Sequence, residues 1–444
     1  MNLKNTAVYP ADILLPAPGV DLGKWAVVAV DQYTSEPEYW SDVERAVGGA
    51  ASALRLTLPE VYLAESDARI PEMQANMRAY LRDDVLRPAV RNGYLLVERA
   101  TERGVRLGLL ACLDLEAYDS APGSRSPIRA TESGVRLGLM ACLDLEAYDY
   151  APGSRSPIRA TEGTVLERVP PRVRIRRGAA LELPHVLMLL NDPQRRVLEP
   201  LYAARDALES VYDFELMQGG GHLRGWKVEG DAARRVEAAL DAVAADCAES
   251  SAPGAAPLFL AVGDGNHSLA AARAYWMELR EGLTPAERAN HPARYALAEI
   301  ENLHCPAIQF EPIHRVLTGV DPEALLAAWE ARMPQPGEGF ALTAVSRNLE
   351  RSYSFGAHPL RALQEFLDEY LAEHPGAEVD YIHGDGVLRR LADRPDAVGF
   401  LLCGFAKAEL FPYIETWGVL PRKTFSMGHA HEKRYYLEAR RIEG

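Results

Sequence analysis

The sequence predicts a mixed α/β protein of the α+β kind, in which strands and helices share the same units. Two observations predict this class. Short apolar runs alternate with amphipathic stretches along the 444 residues. At 257–276 an apolar run ends in a Gly-Asp-Gly turn and an amphipathic stretch follows at once. This pattern is typical of a strand that leads directly into a helix.

Individual elements follow from local patterns. The apolar run WAVVAV (25–30) predicts a buried strand, and VRLGLMACLDL (135–145) predicts a half-buried strand because apolar residues alternate along it. From 378 onward the order strand, helix, strand, helix is predicted for AEVDYIHG, VLRRLAD, AVGFLLCG and AELFPYIETW. The remaining helices are predicted at 72–90, 195–214, 231–248, 268–281, 323–332 and 360–373.

A linker of small residues and proline, ESSAPGAAP (249–257), is the best candidate for a domain boundary. It divides the chain into an N-terminal α/β region, 1–250, and a C-terminal α/β region, 251–444. The second region contains the Gly-Asp-Gly turn and the basic segment LPRKTFSMG.

A tandem duplication lies in the first region. Residues 103–132 and 133–162 differ at only three of 30 positions. Because a surface insertion costs little loop entropy, we expect one copy to be a tolerated insertion. The second copy, 133–162, is expected to occupy the ordinary position and 103–132 to be the insertion. Exchange of the two copies in one strand position is an alternative state.

Composition limits the classes of partner. The chain has 48 basic and 63 acidic residues, a net charge of −15, which disfavours binding to nucleic acid or to anionic membranes. The five cysteines form no CxxC pair, and neither a signal peptide nor a long apolar segment is present in the sequence. We therefore expect a cytoplasmic protein with a small-molecule partner.

The loop Gly263-Asp264-Gly265-Asn266-His267-Ser268 is the sharpest candidate for chemistry. Glycines permit a tight turn, Asn266 or Ser268 can cap the following helix, and the N–H groups at a helix start favour phosphate. Asp264 stands where a magnesium ligand or a general base would be placed. A purely structural turn explains the same residues equally well.

A second candidate is Arg159-Ala160-Thr161-Glu162-Gly163-Thr164, which is followed by Arg168 and Arg172. Arginines beside Glu162 and Thr164 are suited to an anionic group and to acid–base work. An arginine–glutamate pair at the end of a strand is the equal alternative.

Two further segments carry candidate binding residues. Between 421 and 441 there are six basic and two acidic residues, and Arg422 and Lys423 begin this cluster. Such a cluster indicates either a bound anion or a face that forms ion pairs. Asp31 and Gln32 follow a predicted strand, the usual position of substrate contacts in α/β proteins, although a capped turn would also place them there.

Several common site types are not indicated. His291, His304 and His314 show no zinc-ligand spacing with a cysteine or another histidine, and the sequence has no P-loop, nucleophile-elbow or dinucleotide-binding motif in a strand-to-helix context.

Long segments of the chain, in order, resemble a family catalogued as domain of unknown function 1015. The resemblance covers nearly the whole chain and rests on WAVVAVDQYTSEPEYW, DLEAYDYAPGSRSPIRATEGTVLERVPPR, GDGNHSLAAA, NHPARYALAEIEN, FEPIHRV, IHGDG and GVLPRKTFSMGHAHEKRYYLE. The loop at 264–268 is also similar to the phosphate-binding motif of free serine kinases in the ParB/sulfiredoxin group. The resemblance therefore implies a ParB/sulfiredoxin-like mixed-sheet core with additional α/β elements.

Residue by residue, the resemblance carries over only in part. Many members have D-G-H-H-R at 264–268, so Asp264 and His267 match, whereas Asn266 and Ser268 depart from the motif. Others have H-E-x-T at 161–164, so Glu162 and Thr164 match. The second copy of the duplication leads into this motif as the family does.

Together these features predict a nucleotide-dependent phosphotransferase that acts on a small hydroxylated metabolite, with free serine favoured. Mg²⁺ and ATP or ADP are the expected cofactors. Asp264, Glu162 and His267 are the predicted catalytic residues, with Asp264 also the metal ligand. The predicted phosphate or nucleotide ligands are Gly263, Gly265, Asn266, Ser268, Thr164, Arg168, Arg172, Arg422 and Lys423, and the predicted substrate ligands are Asp31, Gln32 and Arg159. The alternatives are a phosphatase acting on a phosphorylated amino acid, a non-catalytic nucleotide or metabolite sensor, and an interaction scaffold.

Overall fold

The computed structural model describes residues 7–34, 36–101, 104–111, 135–145, 148–149, 155–251, 257–428 and 430–443, with only the main chain described at 104–111, 135–144 and 149. The strands are β1 Val8–Tyr9, β2 Ala11–Pro16, β3 Val27–Val28, β4 Leu86–Thr101, β5 Gly104–Ala111, β6 Val135–Asp144, β7 Tyr148–Asp149, β8 Ile158–Ala160, β9 Leu181–Glu182, β10 Leu187–Leu190, β11 Ser210–Leu216, β12 Gly221–Val228, β13 Leu260–Asp264, β14 Tyr295–Asn302, β15 Phe310–Thr318, β16 Pro336–Ser346, β17 Leu349–Phe355, β18 Glu378–His383, β19 Ala397–Leu402, β20 Phe425–Met427, β21 Tyr435–Tyr436 and β22 Arg440–Arg441. The α-helices are α1 Leu22–Trp25, α2 Pro37–Val47, α3 Ser66–Arg82, α4 Val169–Arg176, α5 Leu198–Ala203, α6 Gly230–Ser250, α7 Asn266–Arg280, α8 Pro285–Asn290, α9 Pro322–Arg332, α10 Leu360–Glu373, α11 Asp385–Ala392 and α12 Lys407–Trp417.

The chain forms two units. Unit 1 comprises residues 1–308 and 429–444, and unit 2 comprises Gln309–Gly428. Both combine helices and sheet, which confirms the predicted mixed α/β class. The predicted boundary at 249–257 falls inside unit 1, because β12 before it and β13 after it belong to the same sheet.

Unit 1 is built on a large mixed sheet with the order β11-β12-β4-β5-β6-β14-β10-β13-β8-β7. Strand β10 runs parallel to β14 and antiparallel to β13, whereas β8 runs parallel to β13. Strand β10 and residues 260–262 of β13 are apolar and buried, and β8 is buried although it contains Arg159. The parallel strands β13 and β8 end at one edge of the sheet, where Asp264 is the last residue of β13 and the 161–164 segment follows β8.

The C-terminal segment returns to unit 1, where it forms a separate two-stranded sheet. Strand β21 pairs with β3, with Tyr435 opposite Val28 and Tyr436 opposite Val27. Behind this pairing, the buried Arg434 guanidinium donates to the carboxylate of Glu299 at 2.7 Å. Because a buried charge is tolerated only when it is paired, this contact fixes the returning segment against β14.

Unit 2 has an antiparallel sheet with the order β17-β16-β19-β15-β18 and an additional pairing of β20 with β15. Its core is aromatic and aliphatic: Trp329 on α9 packs near Phe355, Phe366 and Phe400. The predicted order of strand, helix, strand and helix from 378 is confirmed by β18, α11, β19 and α12.

Most predicted elements are confirmed, with three corrections. Helices α6, α7, α9 and α10 match their predicted ranges within a few residues, and β6 matches the strand predicted at 135–145. The helix predicted at 72–90 ends at Arg82, because the chain from Leu86 pairs with β2. The helix predicted at 195–214 is only α5, since 210–216 pairs with β12. Of the strand predicted at 25–30, only Val27–Val28 is a strand.

Both copies of the duplication contribute a strand to the unit 1 sheet. Strand β5 belongs to the first copy, and β6, β7 and β8 belong to the second. The second copy thus supplies the strand that leads into 161–164, as expected. We expected 103–132 to be an insertion, but its residues 104–111 form β5 within the sheet. Residues 112–132 lie outside the described part of the chain.

Within the described ranges, no helix is long and apolar enough to cross a lipid bilayer. Three cysteines in these ranges, Cys247, Cys305 and Cys403, are free thiols.

Candidate functional site

The candidate site is built around the start of α7. Strand β13 ends at Asp264, Gly265 adopts a left-handed φ of 82°, and α7 begins at Asn266. A Cβ at Gly265 would lie 3.1 Å from the Cα of Val186, so both the conformation and the close approach favour glycine. The predicted strand–turn–helix is confirmed, and it directs the first-turn N–H groups of a 15-residue helix toward the edge of the sheet.

Asp264 forms an ion pair with Lys433. The Nζ atom of Lys433 lies 3.0 Å from Oδ2 of Asp264, and the Gly265 N–H donates to Oδ1 at 2.9 Å. Burial opposes ionisation, but the charge and hydrogen bond of Lys433 outweigh it and lower the pKa of Asp264. Asp264 is therefore held as a carboxylate, which suits a ligand of a cation better than a proton acceptor.

The 161–165 segment lies beside the same helix start. The hydroxyl of Thr161 donates to the carbonyl of Val262 at 2.7 Å, which ties this segment to β13. The N–H of Val165 donates to Nε2 of His267 at 3.2 Å. Since Nε2 accepts this bond, the neutral ring of His267 carries its proton on Nδ1. The structure thus brings the segment that contains Glu162 and Thr164 to the helix that contains His267.

Two buried polar atoms at this edge have no hydrogen-bond partner among the described residues. They are Oγ1 of Thr164 and Oδ1 of Asn266. Buried polar atoms are nearly always paired with protein or with water, so an unpaired one needs an explanation. Both residues belong to the predicted phosphate site, and a bound polar ligand would satisfy both atoms.

A hydrogen-bonded chain connects the C-terminal segment to α7. Nδ1 of His185 lies 2.7 Å from the Tyr436 hydroxyl, and Nε2 lies 3.0 Å from Oγ of Ser268. Burial strongly raises the pKa of Tyr436, so the phenol keeps its proton. The Tyr436 oxygen also accepts from the Val30 N–H. Each ring nitrogen of His185 thus contacts one hydroxyl, and the tautomer of the ring decides which hydroxyl donates and which accepts.

Asp31 lies near Nε2 of His185, the same ring nitrogen that contacts Ser268, and Gln32 is bonded to Asp31. The amide of Gln32 donates to Oδ1 of Asp31 at 3.0 Å, while Oδ2 of Asp31 is 3.7 Å from Nε2 of His185. Asp31, His185 and Ser268 line one cavity of about 160 Å³ in unit 1. Arg172 lines it as well, and its guanidinium forms an ion pair with Glu60.

Other predicted residues have different surroundings. Arg159 is buried and donates to the carbonyls of Ser156 and Pro257, contacts that stabilise the fold. Arg168 is exposed. Arg422 and Lys423 belong to unit 2, where Arg422 donates to the Tyr381 hydroxyl at 2.7 Å. The carbonyls of Arg422 and Lys423 accept hydrogen bonds from the buried Arg315.

Sequence reasoning missed three residues of this site. Lys433 lies in the basic segment 421–441 that was identified, but the charge count gave no reason to prefer it over Lys423. Tyr436 lies in the same basic segment without a motif of its own, and the pairing of β21 with β3 positions it. His185 lies between β9 and β10 in an apolar stretch of the sequence, and its hydrogen bonds to Tyr436 and Ser268 connect it to the site.

In the ranges that the structure describes, no three histidine, cysteine or acidic side chains are grouped to hold a metal. A magnesium site at Asp264 would therefore use this single carboxylate together with phosphate and water oxygens, as Mg²⁺ sites in phosphotransferases commonly do.

The chain matches one protein-family model and several solved structures. The model described as "Protein of unknown function (DUF1015)" matches residues 14–133 and 125–441, two segments that overlap inside the duplication. A free serine kinase variant in complex with AMP is similar at 9% identity and a TM-score of 0.36, over 71% of this chain and 95% of that one. SbnI with C-terminal truncation from Staphylococcus aureus is similar at 11% identity and a TM-score of 0.33, over 65% and 82% of the respective chains. A conserved hypothetical protein from Pyrococcus furiosus gives 10% identity and a TM-score of 0.32, over 72% and 98%. No curated protein matches the chain.

Proposed function

Because the chain belongs to the family described as protein of unknown function (DUF1015), we propose its function from the chemistry of its own site. We propose that it transfers a phosphoryl group from ATP or ADP to a small hydroxylated molecule. The observation that supports this proposal most is the helix start at Asn266, where Asp264 and Lys433 are paired beside the two unpaired polar atoms of Asn266 and Thr164.

The helix start, Lys433 and Thr164 suit a phosphate group, whereas Oδ1 of Asn266 is an acceptor and suits a donor such as a hydroxyl or a water molecule. The first-turn N–H groups of α7 and the ammonium of Lys433 are donors to phosphate oxygens. The hydroxyl of Thr164 can donate to a further oxygen, which would satisfy a buried atom that is unpaired in the protein alone. Mg²⁺ held by Asp264 and by the phosphates would neutralise charge as it develops during transfer. In that state the Lys433 ammonium would turn from Asp264 to a phosphate oxygen.

Proton removal from the acceptor is assigned to Glu162. Asp264 is a poor proton acceptor because Lys433 lowers its pKa. Glu162 follows β8, which runs parallel to β13, so the two carboxylates are at the same edge of the sheet. A carboxylate within reach of the acceptor hydroxyl would accept its proton as the oxygen attacks phosphorus. His267, held by the Val165 N–H, is expected to position this segment rather than to take the proton.

The test is detection of a phosphorylated product by mass spectrometry. Purified protein is incubated with Mg²⁺, ATP or ADP, and a panel of alcohols that begins with free serine, because the loop motif resembles that of free serine kinases. Glu162→Gln is expected to lower the rate by about 10²-fold or more, and Asp264→Asn to remove nucleotide-dependent product. Glu167→Gln, an exposed change in the same segment, is the matched control.

The outcomes separate the candidate functions. Product that requires nucleotide and is lost in both site variants but not in Glu167→Gln supports the proposal. Release of phosphate from a phosphorylated amino acid without nucleotide would instead support a phosphatase. Stabilisation by nucleotide with no turnover of any alcohol would contradict the proposal and support a sensor, for which the departures at Asn266 and Ser268 are the specific observation.

A further inference from the structure

The cavity beside the α7 start has walls that select a class of ligand. Its volume is about 160 Å³, and most of its lining is aliphatic. For comparison, an apolar cavity of about 150 Å³ in another protein accommodates benzene. The aliphatic lining residues are Val30, Leu56, Leu58, Leu63, Met77, Ile175, Ala179, Leu181, Leu183, Val186, Leu269, Ala271, Ala272, Ala296 and Leu297.

The polar lining of the cavity contains one acid, Asp31, that no lysine or arginine contacts directly among the described residues. Arg172 is paired with Glu60, and Arg176 is paired with Glu182 at 2.5 Å. Among the described residues, no lysine or arginine is in direct ion-pair contact with Asp31, although the charge of the Arg172 guanidinium acts on it, and Nε2 of His185 lies 3.7 Å from Oδ2 of Asp31. Oδ2 of Asp31 is therefore available to accept a hydrogen bond from a ligand, and a ligand carboxylate beside it would be repelled.

From these observations we propose that the cavity binds the acceptor of the phosphoryl group, and that this acceptor is an alcohol with an apolar body about the size of benzene and no carboxylate. This inference rests on the proposed function and names its substrate class. In the bound acceptor the hydroxyl donates to Asp31 and lies beside Ser268, which is on the first turn of α7. As its oxygen attacks phosphorus, the hydroxyl turns to Glu162, which takes its proton. The apolar body lies against Ala271 and Ala272 on the second turn. Free serine fits this cavity poorly, because burial of its polar groups against aliphatic walls is unfavourable.

The test begins with binding, which needs no nucleotide. Benzyl alcohol is titrated into the full-length protein and followed by calorimetry and by thermal shift, with free serine and benzoate at the same concentrations. Benzyl alcohol is expected to bind and to raise the Tm, whereas serine and benzoate are expected to do neither. Ala272→Leu fills the cavity and is expected to abolish binding, and Ala274→Leu, on the same helix but outside the cavity lining, is the matched control.

A second variant keeps the test informative if Ala272→Leu does not fold. Asp31→Asn removes the negative charge without changing the size of the side chain, and it is expected to weaken binding of benzyl alcohol by about tenfold. Binding that is unaffected by both Asp31→Asn and Ala272→Leu would overturn the assignment. Stabilisation by adenosine but not by benzyl alcohol, lost in Ala272→Leu, would also overturn it, because the cavity would then hold the nucleobase.

Failure of the inference and failure of the proposed function are distinguishable. If benzyl alcohol binds in the cavity but no alcohol is phosphorylated, the cavity binds such alcohols although phosphoryl transfer is refuted. If serine is phosphorylated while benzyl alcohol does not bind, the proposed function is supported and the substrate class proposed here is wrong.

Discussion

Replacement of Lys433 by methionine tests the central ion pair of the site. Methionine keeps the length and apolar stem of the side chain and removes its charge. In the wild-type protein the ammonium lies 3.0 Å from Oδ2 of Asp264, and the two side chains are only 13% and 22% exposed. The variant would leave a mostly buried carboxylate with the Gly265 N–H as its remaining described hydrogen-bond donor.

The size of the effect follows from this burial. Removal of one partner of a fully buried ion pair costs about 3–5 kcal/mol, and a hydrogen bond to a charged group contributes about 1.5–3 kcal/mol. For a pair that still has some contact with solvent, we expect Lys433→Met to lower the free energy of unfolding by about 2 kcal/mol. In a unit of this size such a change lowers the Tm by about 4 °C. Lys227→Met is the control, because its partner Glu209 is 66% exposed at a similar distance of 2.8 Å, and the expected loss is below about 1 kcal/mol.

The loss should depend on pH in a defined direction. Because Lys433 lowers the pKa of Asp264 in the folded state, the pair contributes stability above the unfolded pKa, near pH 4, and this contribution is lost as pH falls through the lowered value. In the variant, burial dominates and raises the pKa of Asp264, so the variant loses stability as pH rises. The difference in Tm between wild type and Lys433→Met is therefore expected to increase from pH 4 to pH 7.

Thermal unfolding followed by circular dichroism at several pH values measures this difference. A Tm loss in Lys433→Met that is no larger than in Lys227→Met, or that is constant between pH 4 and pH 7, would refute the argument. A double variant with Asp264→Asn should recover part of the loss, because the unpaired charge is then absent.

Three further predictions concern the turn, a buried acid and the duplication. Gly265→Ala is expected to lower the Tm more than Gly19→Ala. Both glycines have positive φ, but of the two only Gly265 has a main-chain atom 3.1 Å from the new Cβ, so equal losses in Tm would contradict this. Burial raises the pKa of Glu199 to about 7, so stability is lost as pH rises from the unfolded pKa, about 4.3, to about 7. Glu199→Gln is therefore expected to raise the Tm at pH 8 much more than at pH 5, and the same shift at both pH values would exclude this cause. Deletion of 103–132 or of 133–162 gives two proteins that differ from each other at three positions. We expect both to fold, with Tm values within about 3 °C of each other. If only one of the two deletion variants folds, the copies are not equivalent.

Local patterns were sufficient where an element is determined by its own residues. The strand, left-handed glycine and helix around Gly265 were predicted because the apolar run, the glycines and the amphipathic stretch adjoin in the chain. The helix predicted at 72–90 continued too far because its last residues are compatible with a helix by themselves. The chain from Leu86 is a strand since it pairs with β2 and β12, and this contact outweighs local preference.

The candidate site was only half predictable for the same reason. Asp264 and His267 were identified because an apolar run leads directly into their turn, and the segment 161–164 was identified from its glutamate and threonine around a glycine beside Arg168 and Arg172. Lys433 and Tyr436 reach them only because the short strand β21 pairs with β3, and a two-residue strand leaves almost no periodic signal. The basic composition of 421–441 indicated an anion site or an ion-pair face; Lys433 forms the ion pair with Asp264, whereas Arg422 contacts Tyr381 in unit 2.

The duplication shows why sequence alone could not select one copy. Ala298 on β14 pairs with Ala111 of the first copy and with Ala141 of the second, which are equivalent positions of the repeat. On the other side, β4 pairs with both β5 and β6 in registers that differ by the same 30 residues. A strand position is specified by its pattern of apolar residues and by its register, and both copies meet these requirements equally. Which copy takes this strand position therefore depends on chain connectivity. Because β8 of the second copy leads into Glu162, we expect either deletion to retain the edge of the sheet on which the proposed chemistry depends.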